Sequence, residues 1–272
     1  MKNRYRTLLL AILLTIPSLH ALEGEFGMEL SFVGLNMDYR EYDDNGVILD
    51  SEKSNFSEMI GGQTALFYEL QTPHSNSARL SAQLQYIKGE SEYVGSYLGS
   101  SSGYGSLVSR TQNEMTDVSL DYRFSYLYEN NLYLSYGLAI GYREWRRELS
   151  ASQVEIYSWK SLRPTLGFGY SSKNLAFGVV AQYQYGLNPE MEIVDSSLVF
   201  ELGAANITKV SLPLTLVFSE KFRFLMEYSY EYQYIEKSNV ITIATTSGNY
   251  EAWEPESRTN NAYLKVGFEF KF

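Results

Sequence analysis

Side chains suited to covalent or metal chemistry are few in this sequence. It has 272 residues, no cysteine and two histidines, which excludes disulfides, thiolate metal centres and cysteine nucleophiles. His20 falls in an N-terminal leader, and His74 lies in Thr72-Pro73-His74-Ser75, a turn-like stretch. A histidine base needs a partner and a substrate within hydrogen-bond reach, so a lone turn histidine reads as an exposed polar residue. Asp43, Asp44, Asn45, Asp50 and Glu52 offer oxygen ligands for Ca²⁺, but they lack the Asp/Asn ladder and closing Glu of an EF-hand loop and read as a solvated acidic loop. Trp145, Arg146, Arg147, Tyr157 and Trp159 combine aromatic rings with guanidinium groups. That pairing could hold a sugar, a lipid phosphate or a partner protein, and rim packing of a membrane protein explains it as well. Gly95 to Gly105, with Ser100, Ser101 and Ser102, lacks a phosphate-loop lysine and a following helix, so it is a surface loop and not a nucleotide site. No cofactor is implied. The balance of 22 Lys+Arg against 32 Asp+Glu, net −10, argues against nucleic acid, which requires a basic stripe.

The elements that must position these groups begin after the leader. Lys2, Arg4 and Arg6, then the apolar run Leu8 to Ile16 and the exit Pro17 to Ala21, have the form of a secretory signal peptide. Cleavage after Ala21 leaves a domain over 22–272. No later apolar run reaches the ~20 residues of a membrane-spanning helix. What recurs is alternation with period two. In 117–128, Val118, Leu120, Tyr122, Phe124, Tyr126 and Tyr128 share one face, while Asp117, Ser119, Asp121, Arg123, Ser125 and Leu127 share the other, largely polar one. The same pattern predicts strands over 24–40, 56–70, 78–92, 117–128, 132–147, 155–170, 175–187, 207–218, 222–235 and 258–272. Short turn-forming links at 71–77, 129–131, 171–174 and 219–221 alternate with longer ones at 42–55, 95–110, 144–154, 188–206 and 236–257. Leu198, Phe200, Leu202 and Ala204 alternate inside 188–206 and could lengthen the eighth strand or supply an extra pair, which makes twelve strands the alternative count.

At the C-terminus, Leu264, Val266, Phe268, Phe270 and Phe272 occupy alternate positions ending in Phe. This resembles the C-terminal strand signal of Gram-negative outer-membrane β-barrels. The resemblance implies an all-β, transmembrane, antiparallel up-and-down barrel, inserted by the barrel-assembly machinery into outer-membrane lipid and lipopolysaccharide. Both termini would then be periplasmic and the long links extracellular. An even strand number and the 24 tyrosines agree with such a wall, where amphipathic rings mark both interfaces. A soluble β-sandwich is the competing architecture, and it gives no reason for the run Tyr228, Tyr230, Tyr232 and Tyr234.

Ten-stranded barrels of this size include the omptin surface proteases, whose chemistry resembles water activation by an acidic pair and an Asp-His pair at the extracellular rim. This chain has no histidine there, and barrel lipases and deacylases with a membrane-facing Ser-His fail on the same residue, so an enzyme is not expected. On the inward face, Arg79, Arg123, Arg143, Arg163, Arg223 and Lys265 accompany Glu29, Glu69, Asp121, Glu227, Glu231 and Glu269. A narrow lumen brings opposite charges together. The first reading is a salt-bridged plug in a structural or surface-binding protein acting through its extracellular loops. The second is a narrow porin-like channel for small solutes or ions, and the remote third is a hydrolase. The extracellular partner is not readable.

Overall fold

The computed structural model describes residues 24–272 except 73–75, 97–102, 152, 195, 197 and 246–247. The leader, His74 and Ser100 to Ser102 therefore lie outside the described residues. Long strands β1 Gly24–Tyr42, β3 Met59–Thr72, β4 Asn76–Gly95, β5 Leu107–Leu127, β6 Leu132–Ser150 and β7 Gln153–Ser171 are joined in the same wall by β8 Leu175–Ile193, β10 Ala205–Val217, β11 Phe222–Ile235 and β14 Glu256–Lys271. Each pairs antiparallel with its neighbours, and β1 pairs with both β3 and β14, so a ten-strand sheet closes on itself. Closure leaves no free edge and pairs the backbone within the wall.

Twelve staves are not formed. Strand β2 Ile48–Lys53 pairs with β1 and β4 just beyond the point where β3 stops. Strand β9 Leu198–Glu201 does the same beside β8 where β10 stops. Each continues an existing stave past a break in the chain. The break beside β8 coincides with Asn188, at φ 50°, next to Pro189. A separate hairpin, β12 Ile241–Thr245 and β13 Gly248–Ala252, stands in the last long connection.

The short turns lie at one end of the barrel together with Gly24 and Lys271, and the long connections lie at the other. Asn131 closes the β5–β6 turn in the left-handed region at φ 64°, a conformation that Asn tolerates better than most residues. Two of the expected long links are much shorter than the alternation of oily residues suggested. Strands β4 and β5 extend to Gly95 and from Leu107, while β6 and β7 extend to Ser150 and from Gln153, so Trp145, Arg146 and Arg147 are in a strand and not in a loop.

The cause is a change of polarity along each strand. On β5 the outward residues Val118, Leu120, Tyr122, Phe124 and Tyr126 are apolar or aromatic, whereas Gln112, Glu114 and Thr116 further up are polar. The upper outer wall carries ion pairs such as Lys88–Glu114 at 2.6 Å and Arg40–Asp38 at 2.9 Å. Since ~9–11 tilted residues cross the hydrocarbon, about half of the 21-residue β5 stands beyond the apolar belt. Inside, the order is reversed: charges fill the lower half and a buried apolar cluster fills the upper half.

Close backbone contact fixes the β3–β4 register near that transition. A Cβ on Gly61 would stand 1.9 Å from the Tyr86 carbonyl oxygen, and one on Gly89 would stand 1.9 Å from that of Glu58. Gly89→Val is expected to lower barrel stability by at least ~1–3 kcal/mol, the usual cost of overpacking, read as a lower urea midpoint of the refolded protein.

Candidate functional site

The lower interior is an ion-pair ladder built by inward positions of nearly every stave. Nearest the short turns, Lys271 Nζ bonds Glu69 at 2.5 Å and Glu25 at 3.0 Å. Arg79 then bridges Glu29 and Glu269, the latter at 2.8 Å, with its guanidinium 3.6 Å above the Phe67 ring. Arg223 reaches the same Glu269 at 3.0 Å. Higher up, Lys265 and Lys209 share Glu227 at 3.3 and 3.8 Å. Above these, Arg143 and Arg163 share Asp117 at 2.8 and 2.7 Å, and Arg143 also meets Glu231 at 2.8 Å. Taking such charges out of water is tolerable only when they are paired and hydrogen-bonded. Between the rungs the interior keeps a polar cavity of about 310 Å³.

Above the ladder, each of the ten staves sends at least one buried apolar side chain inward. Leu35, Met59, Ile87, Met115, Trp159 and Ile235 belong to this cluster. Over it sits Arg147, 1% exposed, which pairs with Glu52 at 2.6 Å, Glu155 at 2.9 Å and Glu41 at 3.1 Å. Its guanidinium lies 4.4 Å from the Tyr39 ring centroid and 5.3 Å from that of Trp145, an arrangement that adds cation–π attraction. Ser91 and Asn113 donate to Glu52 at 2.6 and 3.2 Å, and Trp145 Nε1 donates to Asn113 at 2.8 Å. Tyr157 donates to Glu254, which ties the last long connection into the cluster.

With Asp50 included, this cluster holds more carboxylates than its guanidinium can neutralise. Burial, then the charge of Glu41, pushes the Asp50 carboxyl up to about 7. Burial likewise raises Glu155 against the pull of Arg147, and it raises Glu254 well above the ordinary range, reinforced by Glu41 and Glu155.

No family model matches the chain, and no curated protein is similar to it. Among solved structures, the outer membrane protease OmpT from Escherichia coli superposes with a TM-score of 0.56 at 13% identity, over 91% of this chain and 97% of that one. The translocator domain of the autotransporter NalP from Neisseria meningitidis gives a TM-score of 0.43 at 13% identity, over 98% and 96%. This chain has a closed, ten-strand antiparallel β-barrel fold like that of OmpT. At these identities the likeness concerns fold alone and assigns no chemistry.

In this barrel, Glu29, Arg79, Asp121, Arg123, Arg143, Arg163, Arg223, Glu227, Glu231, Lys265 and Glu269 line the cavity, and Glu69 sits beneath it with Lys271. The sequence reading omitted Asp117, Lys209 and Lys271 from this set. Alternation already puts Asp117 on the same face as Asp121 and Arg123, and it belongs with them among the inward charges. The supposed rim set needs correction. Trp145, Arg147, Tyr157 and Trp159 are buried inside the upper barrel, and only Arg146 points outward, where it pairs with Glu148 at 3.2 Å. They form no open binding surface. The acidic loop also disperses: Asp43 accepts the N–H groups of Asn45 and Val47 at 2.9 and 2.7 Å, while Glu52 joins the Arg147 cluster.

Two outcomes are expected. Arg147→Ala strands Glu41, Glu52 and Glu155 and should cost ~3–5 kcal/mol, the usual penalty for breaking a buried pair, measured by urea unfolding in detergent. The Asp50 carboxyl binds its proton more tightly in the folded protein than its ordinary 3.8 would allow. Its stabilisation is therefore full below about pH 4 and lost as pH rises through about 7. An Asp50→Asn, Glu254→Gln variant should show a flatter melting temperature between those limits than the parent.

Proposed function

We propose that this outer-membrane barrel is a closed, non-enzymatic surface protein: a stalk that holds its long connections outside the cell and binds through them. The observation that carries the reading is the apolar cluster, to which all ten staves contribute, capped by the Arg147 network. A continuous layer of close-packed side chains across a lumen leaves no water path. The long-loop end is taken as extracellular, with both termini periplasmic and residues 1–21 as a cleaved leader. Lipopolysaccharide and outer-membrane lipid surround the belt, and the terminal strand, with Phe268 and Phe272 on its outer face, is the segment the barrel-assembly machinery would read.

Binding is assigned to the outer hairpin and its flanks, where Val240, Tyr250 and Trp253 are exposed and Lys237 lies 4.9 Å from the Trp253 ring centroid. Exposed aromatic residues beside a cation suit contact with another surface. The charged lower lumen keeps a narrow channel as the second reading, but that reading requires the upper seal to open.

Native protein refolded into planar bilayers is expected to add no current steps. Steps in the native protein would favour the channel, whereas steps that appear only when Arg147→Ala is combined with Trp145→Ala would support the seal.

A further inference from the structure

We propose that the lower chamber is a binding site for a small oxyanion of the phosphate, sulfate or carboxylate class, reached from the short-turn end and centred on Arg123. The chamber is lined by seven cationic and six carboxylate side chains, a surplus of one positive charge. Six of the seven cations stand within 3.8 Å of a carboxylate oxygen. Among the described residues, Arg123 has no such partner, and it is exposed to the lumen. Its same-face neighbour Asp121 accepts a hydrogen bond from Ser119 at 2.6 Å.

The register sharpens the point. Arg123 stands directly opposite Arg79 on β4, and like charges in that position repel. Arg79 makes ion pairs with both Glu29 and Glu269, whereas Arg123 feels carboxylates such as Glu29 and Asp121 only at longer range and contacts none of them. On its other side, Arg123 faces Gly137 of β6, followed by Thr165 of β7. A Cβ at Gly137 would meet the Tyr122 carbonyl oxygen at 2.6 Å and Thr165 Oγ1 at 2.9 Å. That position is therefore filled by neighbouring backbone and Thr165, and the open volume that the guanidinium meets is the cavity it lines. A planar fork of N–H donors facing open volume matches a tetrahedral or carboxylate oxyanion in geometry as well as charge. With the upper end filled by the apolar cluster, the short-turn end is taken as the side from which the chamber is entered.

The absence of native cysteine makes a clean test available. Thr165→Cys places one thiol on the chamber wall of the refolded full barrel. Its modification rate is compared for an anionic sulfonatoethyl and a cationic trimethylammonium methanethiosulfonate, with and without inorganic phosphate. The anionic reagent should react faster, and millimolar phosphate or sulfate should slow it. Adding Arg123→Gln should weaken the phosphate protection about tenfold or more, the scale of a lost charge-assisted hydrogen bond, while Arg123→Lys should keep the reagent preference. Protection is measured first with Arg123 intact, so the test does not depend on the variant folding. Equal rates for the two reagents, no protection by phosphate, or protection unchanged in Arg123→Gln would each overturn the site. Labelling of intact cells from outside would instead overturn the upper seal and leave the anion site standing.

Discussion

The structure depends on one constraint: strands with a strict period of two must meet lipid along half their length and water along the other half. Apart from the one-residue shift at Asn188 in β8, the alternation keeps its phase, so the polarity of the faces has to exchange. On β1, Leu30 and Phe32 face outward with Glu29 inward, whereas further along Asp38 and Arg40 face outward with Leu35, Met37 and Tyr39 inward. Hydrocarbon accepts the first arrangement and water the second. The lower interior, denied apolar side chains because they are used against lipid, must be filled with groups that satisfy one another. Hence the ion-pair ladder is a consequence of the apolar belt. The upper interior is under no such demand and packs as an ordinary soluble core.

The Arg147 cluster sits where that soluble core ends, and its composition needs a physical account. A buried ion pair is weak evidence of net stabilisation, because removal of two charges from water offsets most of their attraction. What the guanidinium supplies is geometry. Its donors reach carboxylates from β1, β2 and β7 while it is carried by β6, and they tie β1 and β2 to a stave with which neither shares backbone hydrogen bonds. A lysine could not span these partners with a fixed fork. The surplus acids, Asp50 and Glu254, stay compatible with burial because burial itself favours their protonated forms, in which they donate hydrogen bonds as well as accept them.

Much of this was legible in the sequence, and the misses have a common origin. The staves can be counted from runs such as Val118 to Tyr128, because a lipid-facing strand has one continuously oily face. The strand ends were lost at the polarity exchange: past Thr116 or Tyr142 the oily face stops, and a reader following that face ends the strand there. Trp145, Tyr157 and Trp159 consequently looked like rim residues, although they continue the inward register of Arg143 and its neighbours. The inward charges were readable as a set, but their pairings were not. Arg143 meets Glu231 88 positions away, and which staves face each other across the lumen is decided by closure, a property no local window contains.

The asymmetry between the two interior halves bears on what such a barrel can do. A catalytic rim would need its polar groups open to substrate at the long-loop end, and here that level is occupied by a guanidinium whose donors are already used by carboxylates and tyrosines. A pore would need a continuous hydrated path, and the apolar layer interrupts it. On the reading proposed above, the soluble-type core of the protruding half opposes both activities. What that core does provide is rigidity: a wall braced from inside stands beyond the membrane without lipid to support it, and the connections it carries are held at a fixed height above the surface. The chamber beneath, cut off from those connections, is left as a separate compartment whose chemistry is set by the mismatch between its cations and their partners.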